Sequence, residues 1–258
     1  DEGRGPATPL RCRAPATTSA SLARAVAAAG ASGLELVGAR APPGVHWHYP
    51  LCDAGQRCFV GYLPGPLASH GFLRSVMDGM DELGWDRPAS GLGRISRGTK
   101  WLVARGCRCP YRYGGVTVAP VEFPPWMLDL LAAYMPLCGL PDPASWPNSC
   151  NLNCYADGSD AIDWHADDEG LFRGREQNCC IVSLSLGEER YFELRPVQGV
   201  EAPSCRLKLC SGDLCTMEGL TQRFFEHRVP KGGGRNLRLR VNLTWRWLVD
   251  HDPRRCGL

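Results

Sequence analysis

The chain has 258 residues and a formal net charge of +2, a size that suits one domain with a small extension. The near-neutral charge argues against a histone-like tail or an acidic solvating segment, although local clusters of charge decide which partners bind. No apolar run approaches the ~20 residues that a membrane-spanning helix needs, so we expect a soluble protein without a membrane partner. Composition leaves the oligomeric state open.

Residues 1–45 are rich in Ala, Gly and Pro, and we expect them to form a poorly ordered extension. Within this extension, residues 21–29 favour a short alanine-rich helix. The composition resembles an organelle transit segment, but Asp1, Glu2 and Glu35 interrupt the acid-poor pattern of such segments. The first residue is Asp rather than Met, as in a fragment or a processed form. We expect the nucleus or the cytoplasm as the compartment, with an organelle as the alternative.

Two helices and a basic lid are predicted next. Apolar residues recur at helical spacing over residues 67–83, and a second helix is expected from Pro124-Pro125, because Pro fits a first helical turn. Between the helices, residues 87–121 contain interleaved aromatic residues, frequent Gly and Pro, and no acidic residue. The basic residues of this segment are Arg87, Arg94, Arg97, Lys100, Arg105, Arg108 and Arg112. We interpret it as short strands and loops that form a lid.

The remainder of the chain shows short strands separated by turn residues, which is typical of an antiparallel sandwich or barrel. The predicted strands are 151–155, 179–186, 190–195, 205–210, 213–217, 224–229 and 237–247. The chain therefore divides into an extension, a helical support with its lid, and a β core.

The fourteen cysteines permit two interpretations, a secreted protein held by disulfides or a protein with reduced thiols. A chain of this length does not need disulfides, and its cysteines follow no repeated framework. Several of them fall in predicted strands, where a small apolar residue fits, among them Cys179, Cys180, Cys210 and Cys215. We favour reduced thiols and keep a secreted, cysteine-rich binding domain as the weaker alternative.

Cys107-Arg-Cys109 has the form of half a zinc site, but no second pair follows at the spacing of a zinc finger. Cys52 and Cys58 are the further candidates nearest in the sequence. The sequence therefore leaves open whether Cys107 and Cys109 bind a structural metal.

His165-Ala-Asp167 and the later His227 are the candidate ligands of a catalytic metal. Residues two apart on a strand share a face, and a rolled sheet can return His227 to the same place. Two imidazoles and one carboxylate form the facial triad of non-haem Fe(II) oxygenases, which leaves open positions for a 2-oxo acid and O₂. Taken singly, His165 is better explained as a hydrogen-bonded loop residue and His227 as a half-exposed strand residue.

The end of the chain strengthens the metal interpretation. Arg240, Asn242, Thr244 and Arg246 fall at alternate positions and therefore share one face of a strand. A buried face accepts two arginines only where they meet anions, and a guanidinium binds a carboxylate through two hydrogen bonds. A dicarboxylate cofactor would supply such anions. A solvent-facing edge strand explains the pattern alone equally well, but not its combination with the histidines.

Together these motifs resemble the AlkB family of nucleic-acid demethylases over roughly residues 94–247. The terminal Arg240-x-Asn242-x-Thr244-x-Arg246 is the most specific part. Other matching segments are Asn153-Cys-Tyr155, Asp167-Asp168-Glu169, Ser183-Leu-Ser185-Leu-Gly187, Met217-Glu218-Gly219 and His227-Arg-Val-Pro-Lys231. The acidic segment resembles the eukaryotic DNA- and RNA-repair branch, and the last two segments resemble the branch that prefers single strands.

The resemblance implies an α+β, mainly β fold: a double-stranded β-helix (jelly-roll) core at about residues 150–248, with N-terminal helical support and a nucleotide-recognition lid at about 87–121. The whole oxygenase domain would span residues 46–258. It also implies Fe(II) and 2-oxoglutarate as cofactors, with O₂ as co-substrate. The implied iron ligands are His165, Asp167 and His227. The implied 2-oxoglutarate ligands are Arg240 and Tyr155 at the distal carboxylate, and Asn153, Asn242 and Arg246 at the other polar atoms.

Substrate residues follow from the resemblance as well. Asp168 and Glu169 would bind the exocyclic edge of a damaged base. Ser96-Arg97-x-Thr99-x-Trp101 resembles the Pro-Arg-x-Thr-x-Trp motif of the family lid, with Ser in place of Pro. Arg97 would thus contact substrate, and Trp101 or Tyr113 would stack on the base. The segment between Trp101 and Tyr113 differs in length from the family pattern.

The function implied is oxidative demethylation of N-alkylated bases, such as 1-methyladenine or 3-methylcytosine, in DNA or RNA, with release of formaldehyde, succinate and CO₂. The base must be flipped out or already single-stranded to reach a buried metal. One alternative is a 2-oxoglutarate oxygenase that acts on protein or lipid. A second alternative is a catalytically silent nucleic-acid-binding module, although the presence of every expected metal ligand argues against it.

Overall fold

The computed structural model describes residues 20–90, 93–232, 237–251 and 256. The helices of this part are α1 Ala20–Gly30, α2 Val37–Arg40, α3 His70–Leu83, α4 Pro125–Tyr134 and α5 Thr221–Phe224. The strands are β1 His48–Asp53, β2 Cys58–Leu63, β3 Ala89–Ser90, β4 Gly93–Arg94, β5 Gly98–Val103, β6 Tyr111–Tyr113, β7 Val116–Val118, β8 Val121–Glu122, β9 Ser149–Tyr155, β10 Ile162–His165, β11 Cys179–Gly187, β12 Arg190–Pro196, β13 Cys205–Leu209, β14 Leu214–Gly219, β15 Phe225–Val229 and β16 Arg240–Arg246.

Two sheets form the core of the described residues. The large sheet has the order β1-β2-β14-β11-β16-β9-β5-β8, and the small sheet has the order β10-β15-β12-β13. The chain repeatedly crosses from the large to the small sheet, from β9 to β10, from β11 to β12 and from β14 to β15. Side chains of both sheets, including Met217 and Phe225, share one apolar cluster. This arrangement confirms the predicted jelly-roll core.

Helices cover the other face of the large sheet. Met80 of α3 and Met127 and Leu130 of α4 pack with Leu184 of β11 and Trp245 of β16. Burial of each such side chain contributes about 1.5–3 kcal/mol. Helix α3 begins a turn later than the sequence predicted and ends at Leu83, where it is followed by Gly84, whose φ of 70° is a conformation that glycine adopts without strain. Helix α4 begins at Pro125 as predicted.

Strand β16 lies in the middle of the large sheet, between β11 and β9. Its alternate residues Val241, Leu243 and Trp245 join the cluster under the helices. Arg240 and Arg246 point to the opposite face, into a cavity between the sheets. The predicted alternation is confirmed, and the edge-strand alternative is wrong because hydrogen-bonded strands flank β16 on both sides.

Residues 20–45 pack on the domain, which corrects the expectation of a poorly ordered extension for this part. Ala25 and Ala29 of α1 are fully buried, and the backbone N–H of Val37 donates to the Glu218 carboxylate at 2.8 Å. Small alanines allow the helix to approach the sheet closely. Residues 1–19 lie outside the described part.

The strands β1 and β2 were not predicted. Strand β1 contains Pro50, which removes a backbone donor, and the register shifts between His48 and Leu51. Such a strand is tolerated at the edge of a sheet, and β1 is the outermost strand of the large sheet. None of the described helices is both long and apolar enough to cross a membrane.

The cysteine prediction is correct for most of the described thiols. Cys179, Cys180 and Cys215 lie in strands and form no disulfide, whereas Cys210 is in a disulfide bond. Burial raises the pKa of Cys179 to about 12, so this thiol is protonated at neutral pH.

Candidate metal and cofactor site

The two candidate histidines lie on neighbouring strands of the small sheet. His165 ends β10 and pairs in register with His227 of β15, and their ring centroids are 4.2 Å apart. Asp167 follows β10 in the next loop, so the metal triplet bends out of the strand rather than continuing it. The ligand atoms of His165, Asp167 and His227 all lie within 4.8 Å of one another. The fold therefore assembles the predicted triad.

Burial and hydrogen bonding prepare the triad for a metal. Burial lowers the pKa of His227 to about 3 and also lowers that of His165, so both imidazoles are neutral at pH 7. The Nδ1 of His165 donates to the backbone carbonyl of Asp163 at 2.8 Å. The Nε2 therefore keeps a lone pair that points towards Asp167, at 3.7 Å from Oδ1. Such an orienting bond is typical of metal-bound histidines.

Arg246 pairs with the carboxylate of the triad. Its Nη2 lies 2.6 Å from Oδ2 of Asp167, and its Nη1 donates to the Tyr111 hydroxyl at 3.0 Å. Burial opposes ionisation of Asp167, but the positive charge of Arg246 outweighs it and holds the pKa of Asp167 below its ordinary value. Arg246 was predicted to bind 2-oxoglutarate. Its Nη2 contacts Asp167 and its Nη1 contacts Tyr111, whereas its Nε has no hydrogen-bond partner among the described residues.

Arg240 offers the better fit for a carboxylate. The guanidinium is 1% exposed and lies 5.2 Å from the centre of the Tyr155 ring. Its Nη2 donates to Ser185 Oγ at 2.8 Å and to Asn242 Oδ1 at 2.9 Å. Its Nε and Nη1 have no hydrogen-bond partner among the described residues. A buried donor without a partner costs about 1–3 kcal/mol, and a carboxylate in the cavity would accept a charge-assisted hydrogen bond from this guanidinium. The donor set therefore fits the predicted dicarboxylate.

One cavity of about 750 Å³ connects the triad with Arg240. Every residue predicted for the site, with the exception of Trp101, lines this cavity. Asn153 and Asn242 contribute amides from neighbouring strands, although Asn153 Oδ1 already accepts from Arg97 Nε at 2.7 Å. The sequence did not identify Trp164 and Phe192 as cavity residues.

Trp101 does not contact the cavity, and its predicted stacking role is wrong. The side chain is fully buried, and its Nε1 donates to the carbonyl of Cys109 at 2.9 Å. Its ring stacks on Tyr111 with centroids 4.7 Å apart. Trp101 therefore packs beneath the lid, because the lid hairpin β6–β7 covers the face of β5 from which the Trp101 side chain projects.

The two acidic neighbours of Asp167 differ in their surroundings. Asp168 lies at the rim and pairs with Arg175 at 2.9 Å. Glu169 is turned inward, and its Oε1 accepts from the Tyr111 hydroxyl at 2.8 Å. Burial and the charge of Asp167 raise the pKa of Glu169 to about 7. Its Oε2 has no partner among the described residues, so this atom can bind a ligand in the cavity.

Fewer basic side chains of the lid are exposed than the sequence suggested. Arg97 and Lys100 are buried, and Lys100 Nζ lies 3.4 Å from Asp86. The side chain of Arg94 lies outside the described part. The exposed cations of the lid are Arg87, Arg105, Arg108 and Arg112.

Comparison with known proteins decides the family. A family model described as the 2OG-Fe(II) oxygenase superfamily matches residues 75–246, a range that contains the triad and both arginines of β16. The chain belongs to this superfamily. Fe(II) and 2-oxoglutarate, the cofactors predicted from the motifs, are those of the family.

Curated relatives are AlkB homologues, as the motifs predicted. The chain is 36% identical to the alpha-ketoglutarate-dependent dioxygenase alkB homolog 3 of Rattus norvegicus over 153 residues, which cover 56% of this chain and 48% of the relative. It is 34% identical to the DNA oxidative demethylase ALKBH2 of Arabidopsis thaliana, over 50% of this chain and 45% of the relative. The matches thus span about half the length of these relatives.

Among solved structures, the structure of OsALKBH1 is similar in fold. It has a TM-score of 0.50 and 20% sequence identity, and the match covers 73% of this chain and 96% of that chain. This likeness agrees with the jelly-roll core.

Proposed function

We propose that this protein demethylates N-alkylated bases, such as 1-methyladenine or 3-methylcytosine, in DNA or RNA, with Fe(II) and 2-oxoglutarate. The reaction would consume O₂ and release formaldehyde, succinate and CO₂. The observation that carries the proposal is the cavity that joins the metal triad, the Arg240 guanidinium with its unpaired donors, and a wall of aromatic and acidic side chains. The AlkB homologues among its relatives support the nucleic-acid class.

The cofactors would occupy the deep part of the cavity. His165, Asp167 and His227 would hold Fe(II), and Arg240 would bind the distal carboxylate of 2-oxoglutarate. When bound, these groups supply the oxidising chemistry for attack on an N-methyl group. The hydroxymethyl product is a hemiaminal that decomposes to formaldehyde and the free base. Arg246 fixes the orientation of Asp167 and keeps it ionised as a ligand.

The base would enter between the lid and the small sheet. Tyr113 of the lid lines the cavity, and an aromatic face of this kind stacks on a base with ~1–3 kcal/mol. Glu169 presents Oε2 towards the cavity, where it would accept from a base amino group. A base inside a duplex cannot reach this depth, so the substrate would be single-stranded or flipped out at a cost of a few kcal/mol.

Exposed lid cations would hold the nucleic-acid backbone. Arg105, Arg108 and Arg112 are exposed on the segment that also carries Tyr113, so phosphates beside a bound base would lie close to them. Each phosphate contact with a single strand contributes about 0.7 to the slope of log K against log salt. Replacement of the three arginines by Ala is expected to lower both the affinity and this slope.

The direct test is formaldehyde release from oligonucleotides that carry one methylated base. We would compare 1-methyladenine and 3-methylcytosine in single-stranded and duplex DNA and in RNA. Release from methylated but not unmethylated strands is expected, with single strands favoured.

Two histidine variants give this experiment its control. His227→Ala removes a metal ligand and should abolish release, whereas His46→Ala changes an exposed histidine outside the cavity and should not. No release from any methylated oligonucleotide, together with 2-oxoglutarate turnover in their absence, would redirect the proposal to a protein or lipid substrate.

A further inference from the structure

A second group of metal-binding side chains lies where the lid meets the C-terminal segment. Cys107 and Cys109 lie in the loop between β5 and β6, and His251 and Cys256 follow β16. The four ligand atoms all lie within 4.8 Å of one another. From Nδ1 of His251, the Sγ atoms of Cys256, Cys109 and Cys107 are 3.1, 3.8 and 4.0 Å away.

These distances lie within about 0.5 Å of the edge lengths of a tetrahedral ligand set. With Zn–S bonds of about 2.3 Å and Zn–N bonds of about 2.0 Å, the corners of a tetrahedron lie roughly 3.5–3.8 Å apart. Three thiols and one imidazole form a Cys₃His set, which is common in structural zinc sites. The set has four protein ligands and therefore leaves no open position, unlike the triad of the cavity.

The surroundings suit thiolates as well. Cys107, Cys109 and Cys256 are each at least nine-tenths buried. The backbone N–H of Arg108 faces the sulfur of Cys256, and that of Cys109 faces the sulfur of Cys107. Such N–H donors stabilise sulfur-bound metals by orienting and partly neutralising the thiolates. Apolar packing alone does not account for an imidazole nitrogen facing three sulfur atoms.

We propose that Cys107, Cys109, His251 and Cys256 bind a structural Zn²⁺ ion. Soft thiolates with tetrahedral geometry select zinc over the octahedral ions that prefer oxygen ligands. The sequence shows only the Cys107-Arg-Cys109 half of this site, because His251 and Cys256 come from a distant segment. Cys52 and Cys58, the sequence candidates for the second half, are not members of the cluster among the described residues.

The ion would fix one wall of the cofactor cavity. The carbonyl of Cys109 accepts from Trp101, and Trp101 stacks on Tyr111. Tyr111 in turn contacts both Glu169 and Arg246. Zinc would thus tie the lid loop to the end of the chain and hold Tyr111 against the metal triad without touching the substrate.

The test measures zinc in the whole chain, with the triad disabled so that it cannot contribute. In a His227→Ala background, protein produced with zinc and dialysed against a weak chelator should retain one zinc ion per chain. Cys109→Ser or His251→Ala should reduce retained zinc at least fivefold. His251→Cys should keep it, because a Cys₄ set also binds zinc. Cys205→Ser, which changes a half-buried thiol outside the cluster, should have no effect.

Cobalt provides a second readout that does not depend on the folding of variants. Replacement of zinc by Co²⁺ should give the intense visible bands of a tetrahedral ion and a thiolate-to-cobalt charge-transfer band in the near ultraviolet. Chains that retain no zinc and show no thiolate–cobalt band would overturn the proposal, as would a disulfide between two of these cysteines in freshly purified protein.

Discussion

Replacement of Arg240 should raise the requirement for 2-oxoglutarate far more than it lowers the maximal rate. Arg240→Ala removes a guanidinium whose Nε and Nη1 have no partner among the described residues and which we assign to the distal carboxylate. Hydrogen bonds to charged groups contribute about 1.5–3 kcal/mol each. Loss of one such bond, about 1.5–3 kcal/mol, corresponds to a roughly 10- to 140-fold increase in the 2-oxoglutarate concentration at half-maximal rate.

The assay is succinate formation against 2-oxoglutarate concentration at saturating Fe(II) and substrate. Arg190→Ala is the matched control, because the Arg190 guanidinium also lies over Tyr155, at 5.3 Å. Arg190 donates to the backbone carbonyls of Asp157, Asp160 and Pro230, so its loss should lower stability and leave the cofactor requirement near that of the wild type. Equal shifts in the two variants, or no shift for Arg240→Ala, would refute the assigned role.

Three further perturbations have defined outcomes. Arg246→Met removes the partner of Asp167 and should weaken Fe(II) binding about 10- to 100-fold. The measurement is the Fe(II) concentration required for turnover. An unchanged iron dependence would contradict the pairing of Arg246 with Asp167. Trp101→Ala should lower the free energy of unfolding, measured by denaturant titration, by about 3–5 kcal/mol. Tyr113→Phe should leave that free energy unchanged. Equal stability of the two variants would contradict a core role for Trp101. Burial raises the pKa of Glu218 above its ordinary value, so the unfolded state ionises first and the wild type loses stability as pH rises above about 4.5. The stability of Glu218→Gln relative to wild type should therefore increase with pH in urea unfolding, and a flat difference would contradict the shift.

Local patterns predicted the parts of the site that depend on strand geometry. Side chains alternate strictly along a strand, so the polar face of β16 and its apolar face could be assigned from Arg240 and Trp245 alone. The metal triad could be predicted because its residue types are specific to the chemistry, although the bend after His165 could not. The pattern did not show which face the sheet would bury, and this depended on the resemblance.

The remaining features depend on contacts between distant segments. Lid residues were predicted to face substrate because they are aromatic or basic, but the fold buries Trp101 behind Tyr111 and neutralises Lys100 with Asp86. Arg246 and Asp167 are distant in the sequence, and no local pattern indicates that the fold pairs them. For the same reason, the sequence did not show which side chains lie beside Cys107 and Cys109.

The central claim is that oxidation at the triad is coupled to removal of a methyl group from a base. The most direct measurement is the yield of succinate and formaldehyde from a methylated single-stranded oligonucleotide, with Fe(II) and 2-oxoglutarate omitted in turn. We expect equal yields of the two products when both are present and no formaldehyde when either is omitted. Formaldehyde release that persists without 2-oxoglutarate, or succinate formation that is indifferent to the methylated base, would contradict the account.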